Sequence, residues 1–392
     1  MAQKQIFTYT FACLYIFMHN HNPNKKHLFI LTGSWLTVNL LAYVTLGIKY
    51  ATDTIRFDTE ASAWINGTFE FSYHFWYSGY IAILALCKLC FHSIYPSIAI
   101  QCGVSFISIL LFYKGVNRIS KDSTTALIAA LLVIIYIPIQ QWNICLLTES
   151  FYISSILLFV WTYSLENSKL KWTSMLIIAI AATTIRPNGG IVLITAFVLL
   201  AKQFIVTENR KYIYGTGILA MLGLLVLLNN TTSIFYHFLI DSFKKGEVIC
   251  GYSGWTIPIE TTIEANDSKG SITKIIQLFF LHPLESIQLG IYRFIALWAD
   301  VRMYYSNIHN TFIVLLLLST YLFAGIGVYK YRKIYSGLFL LTLVYTGLNS
   351  VLIMITYADW DGRFLVPLLP VVFIWSALGI RHVYKLKYTN NI

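Results

Sequence analysis

Apolar runs of about 20 residues, the length a helix needs to cross a bilayer, recur along almost the whole chain between short polar or basic breaks. The pattern predicts spans near 28–49, 96–113, 122–141, 146–165, 171–185, 189–205, 211–229, 311–329, 334–356 and 362–380. The fold class is therefore an all-α polytopic membrane protein with about ten transmembrane helices, forming one transmembrane domain over residues 1–392. The weak alternation of an outer-membrane barrel is absent. Residues 6–18 form a shorter apolar run that reads as an interfacial or signal-like segment, or as a product of a start site upstream of Met18.

Segment 77–95 is apolar but broken by Lys88 and His92. Counting it as a span would put Lys114, Arg118 and Lys121 outside, against the positive-inside rule. Read as a juxtamembrane or re-entrant helix, it leaves the basic loops 114–121, 166–171, 202–211 and 330–333 on the inside, together with the tail from Arg381 to Lys387. Both termini are then expected in the cytoplasm of an inner (plasma) membrane protein. Loops 50–95 and 230–310 fall outside, the latter with interrupted apolar runs expected to lie as helices on the membrane surface.

Composition agrees with this picture. The chain of 392 residues is 57% hydrophobic with a mean hydropathy of +0.66, against roughly 45–50% apolar residues in soluble domains. A net charge of +11 fits basic cytoplasmic loops and needs no nucleic acid. The six cysteines sit mostly in apolar runs and read as packing; Cys87-Lys-Leu-Cys90 lacks the second pair that a zinc or redox site would require. Walker A, G-x-G-x-x-G and H-E-x-x-H motifs do not occur. The expected inside loops are short, leaving a sugar nucleotide nowhere to bind.

Charge is scarce, at 11% of residues, so its placement carries information. The segment Tyr50–Tyr80 holds Asp53, Arg56, Asp58, Glu60 and Glu70, and a second polar knot, Asp359-Trp-Asp-Gly-Arg363, precedes the last predicted span. Ionisable groups beside lipid are costly and tend to be functional. The two knots are expected to serve one site. The outer elements add Glu149, Arg186, Arg293, Arg302 and the outer-loop residue Asp300. Planar guanidinium forks suit a phosphate, and a carboxylate suits a hydroxyl that must lose its proton. The expected catalytic residues are Asp53 and Glu149. The expected substrate contacts are Arg56, Asp58, Tyr80, Arg186, Arg293, Arg302, Asp361 and Arg363. These residues specify no cofactor; a divalent cation on Asp53, Asp359 and Asp361 is the alternative. For any one of these residues the competing interpretation is a solvated loop charge.

The order of short motifs resembles the integral-membrane glycosyltransferases of the GT-C fold that use polyprenyl-phosphate sugars, such as protein O-mannosyltransferases and lipid A aminoarabinose transferases. The residues carrying the resemblance are Asp53-Thr-Ile-Arg-Phe57-Asp-Thr-Glu-Ala61, Tyr77-Ser-Gly-Tyr80, Leu147-Thr-Glu149-Ser-Phe151, Ile185-Arg-Pro-Asn188 and Arg363-Phe-Leu-Val-Pro-Leu-Leu-Pro370. Ser78 stands where many relatives have proline, and Lys88 is an imperfect match to a lysine that some relatives aim at the lipid phosphate. The resemblance implies transfer of a sugar from a polyprenyl phosphate to a glycan, lipid or protein hydroxyl on the outer face of the membrane. Asp53 would act as base and the arginines would bind phosphate. The alternatives are a polysaccharide polymerase or ligase of the Wzy type, a lipid-linked sugar flippase, and an inactive scaffold of the same fold. Charges gathered at the ends of spans rather than at their middles weigh against transport.

Overall fold

The computed structural model describes residues 25–204, 241–257, 277 and 279–389. Among them the chain is helical, with isolated β-bridges at 49/145, 247/256 and 249/358. The main helices are α1 (Lys25–Leu46), α2 (Thr52–Ile65), α3 (Ser78–Phe91), α4 (Pro96–Ser120), α5 (Ser123–Ile135), α6 (Glu149–Tyr163), α7 (Ser168–Ile185), α8 (Gly189–Phe204), α9 (Pro283–Ala299), α10 (Asn307–Tyr331), α11 (Ser336–Ile355) and α12 (Leu369–Thr389).

Four of them, α1, α4, α10 and α11, are long and apolar enough to cross a membrane, and α5 with its bent continuation makes a fifth. Their 20–25 residues correspond to roughly 30–38 Å of helix, which matches the hydrocarbon thickness. Bulky apolar side chains lie exposed on their outer faces, such as Phe29, Leu40 and Val44 of α1 and Ile308, Phe312 and Leu322 of α10. Such faces suit lipid, and the chain is a helical membrane protein.

The expected bounds of several of the ten spans differ from the helices observed. Runs 146–165, 171–185 and 189–205 become helices of 15, 18 and 16 residues. Run 211–229 lies outside the described residues. Run 122–141 is not one straight helix: it bends by 67° between Ile135 and Ile137. Pro138 lacks the N–H that would reach Ile134 and its ring would clash there, so the helix stops at an extended Tyr136. The carbonyl freed by this break, on Val133, accepts from the buried Gln140 amide at 2.9 Å. The last helix begins at Leu369 rather than near 362, because Gly362 turns the chain with φ +72° and residues 363–368 form turns. The segment expected to stay out of the bilayer forms α3, 14 residues or about 21 Å long.

The chain divides into two compact units. The described part of the first comprises residues 25–69, 77–186 and 380–389. At its centre α4 packs on α5 and α6. Ala126, Ala129, Ala130 and Val133 give α5 a stripe of small buried residues, and Gly115 lets α4 approach the Trp161 backbone of α6. Such stripes let helix backbones come close and gain dispersion contacts that lipid cannot match. Helix α4 ends in a left-handed Lys121, and Asp122 caps α5 through Thr124 N (3.0 Å) while accepting from Arg381 Nε at 2.9 Å.

The second unit holds the described residues among 70–76 and 187–379. Helices α8 and α9 pack on α11. Gly327 of α10 and Gly379 of α12 meet where any side chain would collide with the carbonyls of Trp375 and Phe323. Helix α9 is two-sided: Ser286, Leu289, Gly290, Arg293, Ala296 and Leu297 are buried, while Leu284, Ile287, Ile291, Phe294 and Ile295 are exposed. That exposed apolar stripe is what a helix lying on a membrane surface requires.

Candidate functional site

In the first unit the chain leaving α1 is stitched to the chain entering α6. Lys49 N donates to Ile144 O at 3.0 Å, and Leu146 N to Lys49 O at 3.1 Å. Thr54, fully buried, donates its hydroxyl to Leu146 O at 2.9 Å and accepts from Ala51 N at 3.0 Å, which starts α2. Asp53 therefore sits in the first turn of α2, where the helix dipole favours a carboxylate. Its backbone lies next to the segment that leads into Glu149. The Asp53 side chain is 45% exposed and lies 3.5 Å from Arg56, whose guanidinium covers the rings of Phe57 and Tyr77.

Glu149 opens α6 as a buried residue and pairs with Arg186 Nη1 at 2.7 Å. The Thr148 hydroxyl lies 3.4 Å from its other carboxylate oxygen. Arg186 closes α7 in an extended conformation (φ −155°, ψ 143°), the geometry that a following proline enforces. Its guanidinium also faces the Tyr152 ring at 6.0 Å. Tyr80 lies fully buried between Phe57 and Phe151, and its hydroxyl has no hydrogen-bond partner among the described residues. Burial, and then the Glu149 carboxylate, push the Tyr80 phenol well above its usual range. Gly79 has a packing reason: a Cβ there would stand 2.6 Å from Thr184 Oγ1 on α7. Asp58 pairs with Lys88 at 2.6 Å, so Lys88 is held on α2.

The second unit carries Arg293, Arg302, Asp361 and Arg363. Arg293 is buried and donates to Glu247 O (2.8 and 3.1 Å), Ile355 O (3.2 Å) and Ser242 Oγ (3.3 Å). Arg302, also fully buried, donates to Asp359 O at 3.2 Å, Ala296 O at 2.8 Å and Val301 O at 3.2 Å, and pairs with Asp300 at 3.0 Å. Both forks are spent largely on main-chain carbonyls, so these arginines staple loops to α9 rather than present themselves to a phosphate. Asp359 organises its knot from within, accepting from Arg363 N at 2.6 Å and Asp361 N at 3.3 Å. Asp361 and Arg363 face each other at 3.3 Å and are half-exposed. Asp300 packs against Gly362, and burial pushes its carboxyl up to about 7. Among the described residues no group of three or more His, Cys, Asp or Glu is placed to hold a metal ion.

Two features escaped the sequence reading. One is a buried amide network beneath the 144–149 segment. Asn39 donates to Gln140 (3.1 Å), Asn143 to Asn39 (2.8 Å), Ser150 to Asn143 (2.7 Å), and Gln101 to Cys145 O (2.8 Å). Amides inside apolar runs are the signal that could have revealed it, since lipid offers them no partner. The other is the ring cluster Tyr252, Tyr304 and Trp360, whose centroids lie 4.8–5.5 Å apart. No local pattern announces a contact between residues so distant in sequence.

Comparison with known proteins adds no relative: no family model, curated protein or solved structure matches this chain.

Proposed function

We propose that the chain is a membrane-embedded glycosyltransferase that moves a sugar from a polyprenyl phosphate to an acceptor hydroxyl. The observation that carries this reading is the first-unit cluster. There an accessible carboxylate, Asp53, starts a helix stitched to the segment that leads into a buried Glu149–Arg186 pair. The motif order that resembles GT-C transferases supports it, as do helices long enough to hold the chain where a lipid donor resides.

In this reading Asp53 takes the proton of the acceptor hydroxyl. The acceptor oxygen bonds to the anomeric carbon, the bond from that carbon to the phosphate oxygen breaks, and the lipid phosphate leaves with the electron pair. Arg186 stabilises the charge gathering on the phosphate. Glu149 is a positioning residue that fixes the Arg186 fork. Arg293 and Arg302 are left out of the chemistry, because their donors are already engaged. The reaction takes place on the outer face of an inner membrane, with both termini in the cytoplasm.

The test uses purified protein in nanodiscs with polyprenyl-phosphate sugars. Asp53→Asn keeps the shape and cannot take the proton, so turnover should fall about 10²–10⁴-fold with the donor still bound. Near-normal turnover in that variant would overturn the assignment of Asp53. Transfer only from diphosphate-linked oligosaccharides would overturn the reading as a whole in favour of a polymerase.

A further inference from the structure

We infer that a cleft of about 500 Å³ at the end of α3, lined by Tyr50, Asp58, Lys88, His92, Ser93 and Tyr95, is a binding site for an uncharged sugar ring. Its size falls within the range of small-molecule sites. It lies within the first unit and uses none of Asp53, Glu149 and Arg186.

The charge balance selects the ligand class. The cleft holds one carboxylate and one ammonium, and they neutralise each other at 2.6 Å. An ammonium has three protons to donate. Those of Lys88 face Asp58 Oδ1 (2.6 Å), Ser62 Oγ (2.6 Å) and Asp58 O (3.3 Å), which leaves none for an anion. A phosphate or carboxylate therefore gains little here. What the cleft retains is the Tyr95 hydroxyl and the His92 imidazole, which both donate and accept, beside the Tyr50 hydroxyl that hydrogen-bonds Asp58 and the Ser93 hydroxyl, which accepts from Tyr95 N at 3.3 Å and keeps its proton to donate. Tyr50 and Tyr95 are 46% and 52% exposed, so their rings offer flat apolar faces next to this polar rim. A ring with hydroxyls around its edge and C–H groups on its faces meets both requirements.

His92 supplies an unusually clean probe. It ends α3 in the left-handed region, with φ +54°, where its N–H donates to Lys88 O at 2.9 Å. Glycine adopts that conformation without strain. His92→Gly should therefore preserve or improve folding while removing the ring.

The experiment is saturation-transfer NMR on the full chain in phosphatidylcholine nanodiscs, avoiding alkyl maltosides because their sugar would compete. The probes are the methyl glycosides of glucose, mannose and galactose, with inorganic phosphate as the anionic control. At least one glycoside should bind, with salt leaving the signal unchanged, and His92→Gly and Tyr95→Ala should each weaken it roughly tenfold, the scale of one lost hydrogen bond or stacking contact. Asp53→Asn should leave it intact, which separates this site from the transferase reading. Adding a glucosylated diacylglycerol to the nanodisc assigns the source: competition marks a lipid headgroup, no competition a free acceptor, and the ligand class stands in both cases. Salt-sensitive binding of phosphate in place of glycosides would overturn the inference. So would binding of neither probe, or glycoside binding indifferent to both substitutions.

Discussion

The Glu149–Arg186 pair gives the sharpest quantitative test. Both residues are almost fully inside the protein, at 2% and 7% exposure, and their nearest atoms are 2.7 Å apart. With charge centres about 4 Å apart and an effective dielectric of about 20, their attraction is roughly 4 kcal/mol. Much of that is offset by what it costs to take both ions out of water. The net worth of the pair is therefore small, whereas breaking it is costly. Glu149→Gln or Arg186→Met alone removes the opposite charge from a buried ion and should destabilise the protein by about 3–5 kcal/mol. The double variant removes both charges together and should recover most of that loss. Equilibrium unfolding of all four proteins in mixed micelles closes the cycle. Single effects that simply add, within about 0.3–0.5 kcal/mol, would refute the buried pair. Activity separates the roles: in the proposed reaction the double variant regains stability without regaining transfer, because the phosphate-binding fork is gone.

Two further outcomes follow from other parts of the molecule. Burial, reinforced by Asp359 and Asp361 and opposed by Arg302, raises the Asp300 carboxyl from 3.8 to about 7. The folded state then holds a proton that the unfolded chain has released, so the Asp300 contribution to stability is fully present below about pH 4 and is lost, by an order of a few kcal/mol, as the pH rises to about 7. Asp300→Asn should flatten that slope in unfolding measurements across pH 4–8; an unchanged slope would remove Asp300 as its source. At the α10–α12 crossing Gly379→Ala should cost about 1–3 kcal/mol or more, because the added methyl meets the Phe323 carbonyl, which cannot swing away as a side chain could. A thermal midpoint equal to that of the unaltered protein would show that the two helices can separate without loss.

Helix existence was legible from the chain alone, since apolar runs must be helical in lipid to satisfy their own backbone. Helix length was less so. The stop before Pro138 is visible as a proline, yet hydropathy runs through it. The delayed start of α12 depends on Asp359 folding its carboxylate back onto the amides of Arg363 and Asp361, which composition does not report. Among the candidate residues, the sequence named both Glu149 and Arg186 but did not pair them. It also grouped Arg293 and Arg302 with Arg363 as expected substrate contacts. A charge read from sequence has no direction; the folded chain points two of these arginines into main-chain carbonyls.

The sequence by itself determined that this is a helical membrane protein with few carboxylates and arginines, because transfer of apolar surface and of charge depends on residue type and spacing. Tertiary structure alone decided which charges meet. Glu149 and Arg186 are 37 residues apart and Asp58 and Lys88 are 30 apart, and neither pair follows a local rule. Such pairing is set by how α2, α3, α6 and α7 pack, through close approaches such as Gly79 against Thr184 and bonds such as Thr54 to Leu146. Those contacts are long-range, and they fix whether an ionisable group faces a partner, a cleft or the inside of the protein.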